Sequence, residues 1–161
     1  MSRATSPPPP APVPGAGLAV GLRATVRATV TEADTAAAMG SGDVPVLATP
    51  RLLALAEAAA FAAVAPQLAE GLTSVGTSVS LEHRRASPLG AEIVVEAELT
   101  EVDGSRLVFG FIARVDGTDK DVVLGAGTVE RVVVDRARFI ARVGAEQADP
   151  GQGRPNQAAD E

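Results

Sequence analysis

The chain contains no cysteine, tyrosine or tryptophan, and it has one histidine, His83. Without cysteine it makes neither disulfides nor thiolate nucleophiles. A single histidine argues against a zinc site, because several carboxylates would have to complete it. Aromatic residues stop at four phenylalanines, the net charge is −6, and no basic cluster occurs. These features argue against nucleic-acid binding, which needs cationic patches and commonly stacking rings. The longest apolar stretch, Leu52–Val64, is too short for a membrane span and carries Glu57, so no span is expected. The N-terminus has no continuous apolar run of the secretory kind, and a cytoplasmic location is expected. No cofactor motif is present, and no cofactor is expected.

What is present divides into three parts. Residues 1–17 are proline-rich, with Ser6-Pro-Pro-Pro-Pro10, and residues 145–161 are rich in Glu, Gln, Asp, Pro and Gly. Neither tail has the apolar mass to offset the entropy of ordering, so both are expected to be disordered. Residues 18–144 are expected to form one domain. Gly21–Val30 alternates apolar and polar residues, as a half-buried strand does. Thr31–Leu47 reads as a linker. A helix follows, with Thr49 in the favoured N-cap role and Pro50 suited to the first helical position. Its body, Leu52–Val64, is apolar nearly all round and is expected to be wrapped by other structure.

After Gly71 four segments alternate with period two: Thr73–Ala86, Ala91–Val102, Arg106–Val115 and Val122–Val134. Pro88-Leu89-Gly90, Asp103-Gly104 and Asp116-Gly117 supply the turns. Ile93, Val95, Ala97 and Leu99 are expected to face inward against Leu107, Phe109, Phe111, Ala113 and Val115, with Glu92, Glu96 and Glu98 facing solvent. The resulting fold class is α+β, an antiparallel sheet curled around one long central helix. Such a sheet keeps an open edge, so pairing with a second copy is expected.

Few residues are equipped for chemistry. Thr49 is either a simple N-cap, worth ~1 kcal/mol, or a hydroxyl beside a positive helix end where an oxyanion could be stabilised. Glu57, in an Ala/Leu helix, is either a partly exposed flank residue or a general base with a raised pKa. His83 shares strand parity with Val75, Thr77, Val79 and Leu81 and is expected to point towards the helix. There it is either a histidine satisfied by a carbonyl or a partner of Glu57 or Thr49. Gly125-Ala-Gly127 lies inside a strand pattern with no helix after it and is rejected as a dinucleotide loop. Its glycines more plausibly admit a close approach to the sheet. Arg131 is either a surface strand residue or a cation for a substrate phosphate.

Taken together, Ala48-Thr-Pro50, Glu57, Ser74-Val-Gly-Thr77 leading to His83, and Gly125-Ala-Gly-Thr-Val-Glu-Arg131 resemble the fluoroacetyl-CoA thioesterase family. That family belongs to the hotdog-fold thioesterases, and the resemblance spans roughly residues 21–139. It implies a homodimer or higher homo-oligomer that hydrolyses acyl-CoA thioesters at the subunit interface. By the matching motifs, Thr49, Glu57 and His83 would form the catalytic set. Gly76 would offer its backbone to the thioester, and Arg131 would contact the CoA portion. Before Ala48 the sequence departs from the fluoroacetate-specialised pattern, which is one residue longer and carries a phenylalanine lid. Val44-Pro-Val-Leu47 offers only aliphatic side chains, which implies a more general acyl-CoA thioesterase. A non-catalytic acyl-CoA or small-ligand binding module on the same fold is the alternative. An enoyl-CoA hydratase is weaker, because no matching Asp/His motif lies near His83.

Overall fold

The computed structural model describes residues 15, 17–118 and 122–148. Most of the tails expected over residues 1–17 and 145–161 lies outside the described residues. The elements run β1 (Arg23–Thr29), a 3₁₀ turn (Glu32–Asp34), α1 (Ala36–Met39), α2 (Thr49–Val64), β2 (Leu72–His83), β3 (Glu92–Asp103), β4 (Arg106–Val115), β5 (Gly125–Asp135) and α3 (Arg136–Ala148). The five strands form one antiparallel sheet in the order β1-β3-β4-β5-β2. The sheet curls around α2, as the strand–helix–strands order predicts.

Alternation places the core. Ile93, Val95, Ala97 and Leu99 of β3 are buried, as are Leu107, Phe109, Phe111 and Ala113 of β4. They pack against Leu52, Leu55, Ala56, Ala59, Ala60 and Val64 of α2. Each fully buried Leu, Ile or Phe contributes ~1.5–3 kcal/mol relative to an exposed one. Pro66 follows α2 within the 3₁₀ turn Ala65–Gln67. Between β3 and β4 the two-residue turn has Gly104 at φ +56°, a conformation glycine adopts without a Cβ penalty.

Four features differ from the sequence reading. The segment read as a linker contains the 3₁₀ turn and α1. β2 ends at His83 and β5 begins at Gly125, so both strands are shorter than their alternating patterns. A C-terminal helix, α3, continues from β5 through Ala148, and the Asp135 carboxylate caps it by accepting from the Arg138 N–H at 2.9 Å. Lastly, α2 is not fully wrapped. Ala54, Ala58 and Phe61, spaced as one helical face, are exposed.

A register shift between Gly76 and Ser78 leaves Thr77 as a bulge in β2. One extra residue reverses the parity of everything after it. Ser74 and Gly76, not Val75 and Thr77, therefore share the helix side with Val79, Leu81 and His83. The inward orientation expected of His83 holds, but the face-mates expected in the first half of the strand do not.

The glycines of β5 are explained by proximity. A Cβ on Gly125 would lie 2.8 Å from the Glu82 carbonyl oxygen and 3.0 Å from a Leu52 methyl. A Cβ on Gly127 would overlap the Ser80 carbonyl of β2, which is backbone and cannot swing aside. The close approach at Gly127 is thus strand to strand, not helix to strand. Gly127→Ala is expected to cost about 1–3 kcal/mol of stability, the range for overpacking. A lowered midpoint in urea unfolding with an unchanged slope is the expected result.

Candidate active site

Thr49 is the first residue of α2, and Ala48 holds the N-cap position without a side-chain cap. The N-cap role expected of Thr49 is therefore not the one it has. Freed from capping, its hydroxyl lies 2.9 Å from Nδ1 of His83 at the end of β2. Burial pushes the His83 imidazole below its ordinary value of 6.5, and the Arg85 backbone opposes the shift. Burial thus favours the neutral ring. Its Nε2 is buried without a well-formed hydrogen bond among the described residues, so Nδ1 is the nitrogen turned to the hydroxyl.

Glu57 lies elsewhere. Eight residues at 1.5 Å per residue put it about 12 Å along α2 from Thr49. Its carboxylate faces β2 at Gly76, where a Cβ would overlap Oε1. Oε1 also lies 3.5 Å from a terminal nitrogen of Arg131. Arg131 is on the inner face of β5 and only 7% exposed, which replaces the surface-strand reading. It donates from Nε to the Ser74 hydroxyl at 2.9 Å and from the other terminal nitrogen to the Ser74 carbonyl at 2.8 Å. Its guanidinium also sits 5.7 Å from the centre of the Phe61 ring. Burial lowers the Arg131 pKa and the nearby Glu57 carboxylate raises it.

The reactive side chains thus fall in two separate clefts. Thr49 and His83 border a cleft of about 260 Å³ with Ala36, Val46, Leu47 and Arg85. Glu57, Gly76 and Arg131 border another of about 400 Å³ with Ala58, Phe61 and Ser74. The structure pairs His83 with Thr49 and Glu57 with Gly76 and Arg131, and it does not join the pairs. A depression of about 580 Å³ on the outer face of the sheet, lined by Thr25, Arg27, Glu96 and Arg114, holds none of these residues. Among the described residues no group of three or more His, Asp or Glu could hold a metal, and no helix is long and apolar enough to cross a membrane.

Sequence reasoning missed Ser74 and Phe61, because their contacts with Arg131 depend on the β2 bulge and on packing across the sheet. It also missed Asp34 and Arg51, paired at 2.7 Å beside the start of α2. The Thr31-x-x-Asp34 spacing, which matches a capping box, was a legible signal for the first of these.

Comparison with known proteins gives a consistent result. A family model described as fluoroacetyl-CoA-specific thioesterase matches residues 30–137. The fluoroacetyl-CoA thioesterase of Streptantibioticus cattleyicolor is 40% identical over 98 residues, which cover 61% of this chain and 68% of that protein. A solved structure of the fluoroacetyl-CoA thioesterase FlK superposes with a TM-score of 0.72 at 35% identity, covering 83% of this chain and 99% of the other. A Thermus thermophilus protein described as a thioesterase superfamily member gives 0.73 at 25% identity, covering 85% of this chain and 95% of the other.

Proposed function

This chain belongs to the fluoroacetyl-CoA-specific thioesterase family and has its hotdog fold, and from that premise we propose that it hydrolyses acyl-CoA thioesters to a free acid and CoA. The observation that carries the reading is the Thr49 hydroxyl on Nδ1 of a neutral His83, the geometry of a nucleophile on its base. Thr49 Oγ1 attacks the thioester carbon and its proton passes to Nδ1. The carbon–sulfur bond breaks, and the same proton leaves with the CoA thiolate. Water then attacks the acyl-Thr49 ester, with a Glu57 carboxylate taking the water proton and returning it to Thr49 Oγ1 as the carbon–oxygen bond breaks, which releases the free acid and restores the hydroxyl. The positive end of α2 lies at Thr49, where charge develops on the carbonyl oxygen.

That route needs Glu57 near Thr49, and a second copy supplies it. β2 is an edge strand of 12 residues without proline, lysine or arginine, whereas the opposite edge, β1, is shorter and carries Arg23 and Arg27. The exposed face of α2, with Ala54, Ala58 and Phe61, is the matching apolar surface. Antiparallel pairing of β2 with its copy would set the Gly76 half of one strand beside the His83 half of the other. The Glu57 cleft of one protomer would then complete the Thr49–His83 cleft of its partner.

The aliphatic wall of the Thr49–His83 cleft, with Ala36, Val46 and Leu47, suits a small or medium acyl group. Arg85 at the rim has no acidic partner among the described residues and is placed to meet a CoA phosphate. The CoA contact that the family resemblance implies for Arg131 gives way in this reading to the orienting of Glu57, a role supported by its 7% exposure and by its contacts with Ser74 and Glu57. Under this reading the enzyme works on a cytoplasmic acyl-CoA pool.

Thiol release from a panel of short, branched and aromatic acyl-CoAs tests the function, and absence of turnover on every member would refute it. The pH profile tests the role of His83. A base whose pKa is depressed is active above that pKa and is lost by protonation below it. The acid limb of kcat/KM is therefore expected to bend at a pH below 6.5. A limb bending above that value would assign it to another group.

A further inference from the structure

We infer that Asp34 is a positioning residue, which with Arg51 clasps the start of α2 and so holds the Thr49 hydroxyl on His83. The helix that carries Thr49 begins without a side-chain cap, and Thr49 and Pro50 are exposed. A helix end in that state frays unless something outside it holds it. Asp34 is the residue that does so, from both sides of Thr49. Its main-chain carbonyl accepts from the Ala48 N–H at 2.9 Å. Its carboxylate Oδ1 lies 2.7 Å from Nε of Arg51 in the first turn.

The carboxylate is itself anchored. Its Oδ2 accepts from the Thr31 N–H at 2.8 Å and from the Thr31 hydroxyl at 2.7 Å. These bonds, with Arg51, hold the Asp34 pKa below 3.8, so the group is an anion throughout the working range. The side chain of Asp34 is 15% exposed and that of Arg51 34%, so the pair is better sheltered than the surface ion pairs of β1. An anion at this place also favours the positive end of the helix. On the other side of the same chain segment, the Leu47 N–H donates to the Ser87 carbonyl at 2.9 Å. Asp34 contacts neither Thr49 nor His83, so its effect on chemistry has to pass through the backbone of residues 48–51.

The inference rests on the reading of Thr49 and His83 as the reacting pair, and two readouts separate its failure from that of the reading. The first is a double-mutant comparison. Asp34→Ala is expected to lower kcat by about ten- to a hundred-fold, the scale of a displaced reacting group, with little change in KM. In a Thr49→Ala background the same change is expected to have no further effect, because there is no hydroxyl left to misplace. Asp34→Asn, which keeps an acceptor for Thr31 but loses the ion pair, provides a milder variant should Asp34→Ala fold poorly. Arg51→Lys is expected to recover much of what Arg51→Ala loses.

The second readout does not need turnover. His83 is the chain's one histidine, so its ring protons give a single NMR titration in untagged protein. Asp34→Asn is expected to move that titration upward, towards 6.5, as the hydroxyl leaves Nδ1 and water enters the cleft. If Asp34→Asn leaves both kcat and the His83 titration as in the wild type, or if its kcat loss is as large without Thr49 as with it, the clasp is not what positions the hydroxyl. A fall in melting temperature with unchanged kcat and titration would also overturn the inference, since it would show a purely structural role.

Discussion

Glu57→Ala and His83→Ala, each expected to lose about 10²–10⁴-fold in kcat as removed acid–base groups do, are expected to restore one another when mixed. If Glu57 of one copy serves Thr49 and His83 of the other, a mixed dimer has one site with both residues intact and one lacking both. Random exchange of equal amounts makes half the dimers mixed, so about a quarter of wild-type activity should return. The mixture has to be unfolded and refolded together, or held long enough for subunits to exchange. If the refolded mixture stays as inactive as its components, Glu57 acts within its own chain or the copies do not pair as proposed. Light scattering on the wild type is the companion measurement, because an active monomer would exclude the shared site.

The second large effect is expected at Gly76. Its φ is not in the left-handed region, so conformational freedom is not the reason for glycine here. The reason is space: a Cβ would occupy the position of Glu57 Oε1 and come within 3.5 Å of Arg131. Gly76→Ala would turn the carboxylate out of its place, with an expected loss of about a hundredfold in kcat. The atom that a Cβ would meet is the end of the flexible Glu57 side chain and not backbone, so thermal stability should change far less than activity. The coupling can be isolated, because in a Glu57→Ala chain the added methyl meets no carboxylate. There Gly76→Ala should cost almost nothing further. An equal loss in both backgrounds would mean that Gly76 acts through its own backbone, by contact with the thioester, and not by making room for Glu57.

Both experiments bear on residues that sequence reasoning had already picked out. Thr49, Glu57 and His83 stand out in a chain with so few reactive groups, and their order matches the family. Strand alternation placed the faces of β3 and β4, since period two is a direct consequence of the pleat. The antiparallel character of the sheet followed from long alternating runs with tight turns, but its order, with β2 beside β5 and β1 beside β3, was no part of the sequence reading. The same rule misassigned the first half of β2, because a bulge inserts one residue and reverses parity without leaving a mark in a Thr/Ser/Val pattern. The helix of residues 136–148 escaped notice because its apolar residues barely meet the core, and propensity alone is a weak signal.

Composition and periodicity by themselves determined the α+β fold class, the single long apolar helix, the lack of thiol chemistry and the one imidazole. Those properties depend on residue type and on neighbours in sequence, which local physics reads directly. Tertiary structure decided which reactive groups meet. It turned Thr49 from a helix cap into a hydroxyl on His83, turned Arg131 inward onto Ser74 and Glu57, and left Glu57 about 12 Å along the helix from Thr49. Such juxtapositions depend on a one-residue bulge and on the angle at which a sheet wraps a helix. None of these is encoded in the spacing of residues along the chain.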